Sequence, residues 1–170
     1  DKLGLDPFYN QIIAISAKYH GVGSPPRFDM INDIEDQLLE SFIDYLVRLE
    51  SAKIEIYPFV GCNLIGFDLP TIALHLCKHR IDPMGFDFTP SKYNRKRVVD
   101  LMTAFSDKYV GVEALANYFG IDTSMNLIDG SMVQERWDNG DWKAILDHCS
   151  CDVDIEYEIY DRTHRILEVR

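Results

Sequence analysis

Gly61-Cys62-Asn63-Leu64-Ile65-Gly66-Phe67-Asp68 is the stretch whose reading decides the fold. Before it, residues 53–62 read as a strand, with Ile54, Ile56, Phe59 and Val60 as its apolar members. After it, residues 68–79 read as a helix, with Pro70 in the first turn, where a missing N–H is tolerated. A strand running into a helix through a short turn is a building unit of α/β folds. Ligand sites gather at such strand ends, and a carboxylate at position 68 can reach a cation above the sheet edge. Asp is also favoured as a helix N-cap. For Asp68 taken alone, capping and cation binding are both open readings.

Working outward, residues 11–17 (Gln-Ile-Ile-Ala-Ile-Ser-Ala) read as a buried strand and residues 27–31 as a short one. Turns are expected at Gly4-Leu5-Asp6-Pro7 and over 21–26. Leu38, Leu39, Phe42, Tyr45, Leu46 and Leu49 recur at helical spacing over 35–50, with Asp33 as the expected N-cap. Residues 97–102 read as extended. Residues 112–119 read as a helix stopped by Gly120, and 131–137 as a short helix ending near Asn139-Gly140. Asp141 then caps a long final helix running to about Leu167. This order predicts an α/β fold with a mixed sheet flanked by helices, in one domain across the 170 residues.

Hydrophobic residues at 46% and charged residues at 26% are those of an ordinary globular chain. No apolar run approaches the roughly 18–20 residues of a membrane span. The net charge of −11 argues against a large basic sheath for long duplexes. It leaves room for a metal-dependent nuclease, whose site concentrates carboxylates and which grips only a few phosphates. Arg95, Lys96 and Arg97 form the densest basic cluster, read either as phosphate contacts or as a solvated loop. The four cysteines lack the paired spacing of a zinc ribbon and read as reduced thiols of an intracellular protein.

The final helix carries the second constellation, His148-Cys149-Ser150-Cys151-Asp152. Helical positions four apart share a face, about 5–6 Å between Cβ atoms. That sets an imidazole beside a carboxylate, a pairing suited to activating a metal-bound water, and equally the make-up of a plain surface ion pair. Asp154, Glu156, Glu158 and Asp161 read as the exposed face of this helix. Trp137 and Trp142 read as residues that bury it. His75 and His79, four apart on the second helix, read as ordinary histidines, since no third metal ligand stands near them in sequence. Asp100, after Val98-Val99, reads as a turn or capping residue.

Together, Asn63…Phe67-Asp68 and His148…Asp152 resemble the second and third motifs of the DEDD 3′–5′ exonucleases, RNase H-like domains, and most nearly the branch related to the proofreading domain of family-B DNA polymerases. The second motif of that family is Asn, a short spacer, then Phe/Tyr-Asp. The third in the DEDDy subgroup is Tyr, three residues, then Asp; here His148 stands in the Tyr position at the same spacing. Leu3-Gly4-Leu5-Asp6-Pro7 with 11–16 resembles the stretch after the first motif, and residues 98–102, 115–120 and 129–131 with the terminal helix resemble the second half. The family's opening Asp-x-Glu, with its strand, is expected before Asp1.

The resemblance implies phosphodiester hydrolysis at nucleic-acid 3′ ends with two Mg²⁺ or Mn²⁺ ions. Asp68 and Asp152 would bind metal, and His148 would orient or deprotonate the water. Asn63 and Phe67 would shape the pocket of the terminal nucleotide. The expected partner is a single-stranded 3′ end, DNA ahead of RNA, acted on inside the cell by a free-standing enzyme or a polymerase module. Two alternatives stand beside this: an exoribonuclease of the same superfamily, and a catalytically silent scaffold that binds nucleic acid.

Overall fold

In the computed structural model, the described residues are 8, 10–21, 26–105, 108–124, 128 and 130–167. The turn expected at Gly4-Leu5-Asp6-Pro7, most of the one over 21–26, and Asp129 lie outside them. Four strands and five helices follow in the order β1 (Ala14–Lys18), β2 (Arg27–Ile31), α1 (Glu35–Ser51), β3 (Phe59–Gly61), α2 (Leu69–His79), β4 (Val98–Asp100), α3 (Val112–Phe119), α4 (Val133–Asp138) and α5 (Trp142–Leu167). The fold is mixed α/β, as expected. β1 and β2 pair antiparallel, with Ala14 opposite Ile31. β3 and β4 pair parallel, with Gly61 opposite Asp100. Among the described residues these form two separate two-stranded sheets rather than one continuous mixed sheet.

β4 divides the core. Successive strand side chains face opposite ways, so Val98 packs into one apolar cluster and Val99 into the other. The first cluster is built on α1, where Leu38, Leu39, Phe42, Leu46 and Leu49 form one stripe against Ile15, Leu69, Leu76 and Phe88. Leu38 and Leu39 are 0% exposed, and each buried leucine contributes about 1.5–3 kcal/mol. The second cluster joins Leu101, Leu115 and Ala116 to Ile155, Ile159 and Leu167 of α5.

α5 is bolted to the β1–β2 hairpin by charge. Asp154 accepts from Lys18 Nζ at 2.9 Å and from Arg27 at 2.7 Å. Arg27 also donates to the carbonyl of Ser150 at 2.7 Å. These bonds add to the packing of Ile155, Ile159 and Leu167 in setting which face of the helix looks into the molecule.

Several local expectations change. The strand expected over 53–62 is ordered as a ladder only at Phe59–Gly61. The N-cap of α1 is Ile34 rather than Asp33, because the Asn32 side chain accepts the Ile34 amide at 2.9 Å and starts the helix one residue later. Arg95 donates to the carbonyls of Ala104 and Leu167, and Arg97 lies over the Tyr57 ring at 4.3 Å. Two of the three basic residues therefore have structural partners. Trp137 and Trp142 stack on each other at 5.1 Å between ring centres, joining α4 to the start of α5.

Candidate active site

The stretch between β3 and α2 is neither a plain loop nor a simple helix start. Residues Leu64–Asp68 form a single wide π-helical turn, a form that recurs at functional sites. It opens on Asn63, held in the left-handed region at φ 59°, which Asn tolerates better than most residues. The Asn63 carbonyl accepts from Gly66 at 3.1 Å and Phe67 at 2.8 Å. A Cβ on Gly66 would lie 2.3 Å from Asn63 Oδ1. Glycine at 66 is what lets the Asn63 amide fold back over the turn.

Asp68 makes no side-chain capping bond to α2. Its carboxyl instead faces a cleft of about 800 Å³ shared by β1, β3, α2 and α5. Phe67 and Asp68 line this cleft, as do His148, Asp152 and Glu156. Asn63 is set at the turn's start and does not belong to the cleft lining. The second and third motifs, 80 residues apart from Asp68 to His148, thus meet across one cavity.

The electrostatics are those of crowded acids. Burial pushes the Asp68 carboxyl up to about 6, and the nearby charges of Asp100 and Asp152 push in the same direction. Burial pushes Glu156 up to about 8 against a hydrogen bond from the Cys62 amide, with Asp68 and Asp152 adding to the rise. The Cys62 and Cys149 thiols are also raised, chiefly by burial, which makes them poor nucleophiles at neutral pH. His148 Nε2 lies 3.6 Å from Asp152 Oδ2, a charge contact rather than a hydrogen bond.

Glu156 is the residue that sequence reasoning missed. It was assigned to the exposed face of the last helix with Asp154, Glu158 and Asp161. Asp154 does sit at the surface of the hairpin contact and Glu158 is exposed, but Glu156 turns into the cleft. The signal was present: His148, Asp152 and Glu156 are successive steps of four, so one helix face carries all three. Asp100 also has a larger part than a turn residue. It is 8% exposed, and its carboxylate accepts the amides of Asn63, Ile65 and Met102 at 3.0–3.1 Å.

Elsewhere, His75 and His79 converge on Glu35, each with a ring nitrogen 2.6 Å from one carboxylate oxygen. A third ligating group close to the two rings, which sequence spacing did not reveal, is therefore Glu35 of α1. The Glu35 carboxylate also accepts from Lys78 Nζ at 2.8 Å and from the Ile12 amide at 2.6 Å, so a buried acid is met by donors from α2 and from the segment before β1. Among the described residues, Glu35–His75–His79 and His20–Asp161–His164 are the trios whose donor atoms all lie within 4.8 Å of one another. Asp68, Asp152 and Glu156 do not close to that spacing.

A family model described as a predicted 3′–5′ exonuclease related to the exonuclease domain of PolB matches residues 5–168. The chain belongs to this exonuclease family. The match spans both halves of the cleft, the turn bearing Asp68 and the helix bearing Asp152. No curated protein and no solved structure matches the chain. No helix among the described residues of this family member is long and apolar enough to cross a membrane.

Proposed function

We propose that the chain is a metal-dependent 3′–5′ exonuclease that removes nucleotides from single-stranded 3′ ends, with DNA as the preferred substrate. The observation that carries the reading is the convergence of Asp68 and Asp152 on one cleft, where burial, with the charges of Asp100 and Asp152 beside it, holds Asp68 at about 6. Carboxylates crowded in a buried cleft either keep their protons or bind a cation, and such a perturbed cluster marks a functional site. An all-oxygen donor set suits Mg²⁺ or Mn²⁺ rather than a softer metal. Asp68 and Asp152 are the ligands in this reading. Bound by these residues, such ions would supply Lewis-acid stabilisation of the charge that develops on the scissile phosphate.

The remaining roles belong to side chains. His148, one turn before Asp152, accepts the proton of the attacking water. Phe67 offers an apolar face on the cleft wall to the terminal base. The Asn63 amide, folded over the turn, holds that wall in place.

The cleft also has room in this reading for the family's Asp-x-Glu. β1 lines one side and β3 the other, and among the described residues each has a ladder partner on a single edge. A strand carrying Asp-x-Glu is the occupant we infer for the space between the half-sheets, where its two carboxylates complete the ligand set.

The test is digestion of matched 3′-labelled single-stranded DNA and RNA in Mn²⁺ by the complete protein and by Asp68→Ala. Stepwise shortening of DNA that exceeds that of RNA, and that is lost in the variant, is the expected result. Equal rates in wild type and variant overturn the metal site. Nucleic-acid binding with no cleavage by either protein supports the silent scaffold instead.

A further inference from the structure

Three of the four residues that follow β3 are held by carboxylates that the proposed chemistry does not use. Cys62 donates its amide to Glu156 Oε1 at 2.7 Å. Asn63 and Ile65 donate theirs to the two oxygens of Asp100, at 3.0 and 3.1 Å. One carboxylate arrives from α5 and the other from β4, on the strand beside β3. Burying a charged or ionisable acceptor where a neutral one would serve is costly. The arrangement therefore calls for a reason beyond satisfying three amides.

The reason lies in what each end of the Glu156 contact carries. Glu156 stands one helical turn after Asp152 on α5, and Cys62 stands six residues before Asp68 at the exit of β3. The Glu156–Cys62 bond is thus a direct strut between the two elements that bear the site's acids. Gly61 makes room for it: a Cβ there would lie 3.1 Å from Glu156 Oε2 and 3.0 Å from Leu64 Cγ. With Oε1 committed to the amide and Oε2 set against the strand backbone, Glu156 is placed to hold protein rather than metal. Asp100 grips the same segment through the Asn63 and Ile65 amides, adding a second attachment from the neighbouring strand.

We propose that Glu156, backed by Asp100, is the positioning residue of the site, setting the separation of Asp68 from Asp152. This rests on the reading of those two aspartates as metal ligands. Groups that orient ligands are worth about 10–100-fold in metal affinity. A carboxamide keeps an acceptor oxygen, so Glu156→Gln preserves the strut, whereas Glu156→Ala removes it.

The experiment compares the complete wild-type protein with Glu156→Gln and Glu156→Ala by amide hydrogen exchange at Cys62 and by Mn²⁺ binding from water-proton relaxation. Circular dichroism reports the fold. Expected are faster Cys62 exchange and about tenfold or greater weakening of Mn²⁺ binding in the Ala variant, with the Gln variant close to wild type in both. Faster exchange with unchanged Mn²⁺ affinity reduces Glu156 to a structural brace and overturns the proposal. So does unchanged exchange. Should Glu156→Ala not fold, Gly61→Ala displaces the carboxylate without deleting it, and unweakened Mn²⁺ binding there is equally fatal. Wild-type protein that binds no Mn²⁺ overturns the ligand reading itself and this proposal with it; wild-type affinity retained in Glu156→Ala overturns this proposal alone.

Discussion

His148 Nε2 and Asp152 Oδ2 lie 3.6 Å apart on consecutive turns of α5, with the imidazole the more buried of the two side chains (16% against 38% exposed). The carboxylate therefore faces the open cleft while the ring sits behind it, close enough to take a proton from a water held at the carboxylate. Replacing the ring should remove proton transfer and leave metal binding intact. Single-turnover rates for His148→Ala are expected to fall by about 10²–10⁴-fold at saturating Mn²⁺, with the half-saturating Mn²⁺ concentration unchanged. Asp152→Asn is expected to raise that concentration instead. The same pattern in both variants would mean that the two residues do not divide the work in this way.

The crowded acids make a pH prediction with a definite sign. Asp68 at about 6 and Glu156 at about 8 both lie above the ordinary carboxylate range. Each therefore binds its proton more tightly in the folded chain than in the unfolded one. Between roughly pH 4 and 8, the metal-free folded state carries the extra protons, so these two groups make stability fall as pH rises. Divalent cation opposes this, because it binds the ionised form. In EDTA the midpoint of thermal unfolding should be higher at pH 5.5 than at pH 7.5, and the increment from Mn²⁺ larger at pH 7.5. Asp68→Asn should shrink both differences; calorimetry that finds them intact in that variant would assign them to other groups.

Glu35 behaves in the opposite sense. Burial opposes its charge, but Lys78, His79, the Ile12 amide and His75 outweigh that and lower it from 4.5 to about 2. Its stabilising contribution is present above about 4.5 and disappears as pH falls toward about 2. Because Glu35 is 5% exposed and ties α1 to α2, Glu35→Ala is expected to cost about 3 kcal/mol at pH 7, read by urea unfolding. The loss should narrow in acid. A cost that is constant from pH 7 to pH 3 would show that the network does not act through charge.

Gly66 offers a way to test Asn63 without deleting it. A Cβ at 66 would stand 2.3 Å from Asn63 Oδ1, and that oxygen ends a side chain that can swing aside. Gly66→Ala should therefore leave stability within about 1 kcal/mol while displacing the amide. If the Asn63 amide sets the wall of the terminal-nucleotide pocket, Gly66→Ala and Asn63→Ala should raise KM for a single-stranded oligonucleotide to similar extents. An effect of Asn63→Ala that Gly66→Ala does not reproduce would assign Asn63 to backbone conformation at φ 59°.

Local periodicity determined much of the fold by itself. The spacing of Leu38, Phe42, Leu46 and Leu49 defined α1, Gly120 ended α3, and Asp141 began α5 with its carboxylate on the Ala144 amide at 3.4 Å. Such signals are written in neighbouring residues, so they are legible without the rest of the chain. The motif pair Asn63…Asp68 and His148…Asp152 was legible for the same reason, since each is a short spacing on one element.

Tertiary structure alone decided which acids share a space. Asp68, Asp100, Asp152 and Glu156 come from a turn, a strand end and two successive turns of one helix, and their crowding depends on how α5 is rotated. Ile155, Ile159 and Leu167 in the second cluster and the Lys18 and Arg27 bonds to Asp154 set that rotation together. With Asp154 fastened to the hairpin, the face of His148, Asp152 and Glu156 points into the cleft. Spacing placed these three side chains on one face. Only tertiary packing determined that this face looks inward, toward Asp68: the burial of Ile155, Ile159 and Leu167 in the second cluster and the charge pairs of Asp154 with the hairpin act between elements far apart in the chain.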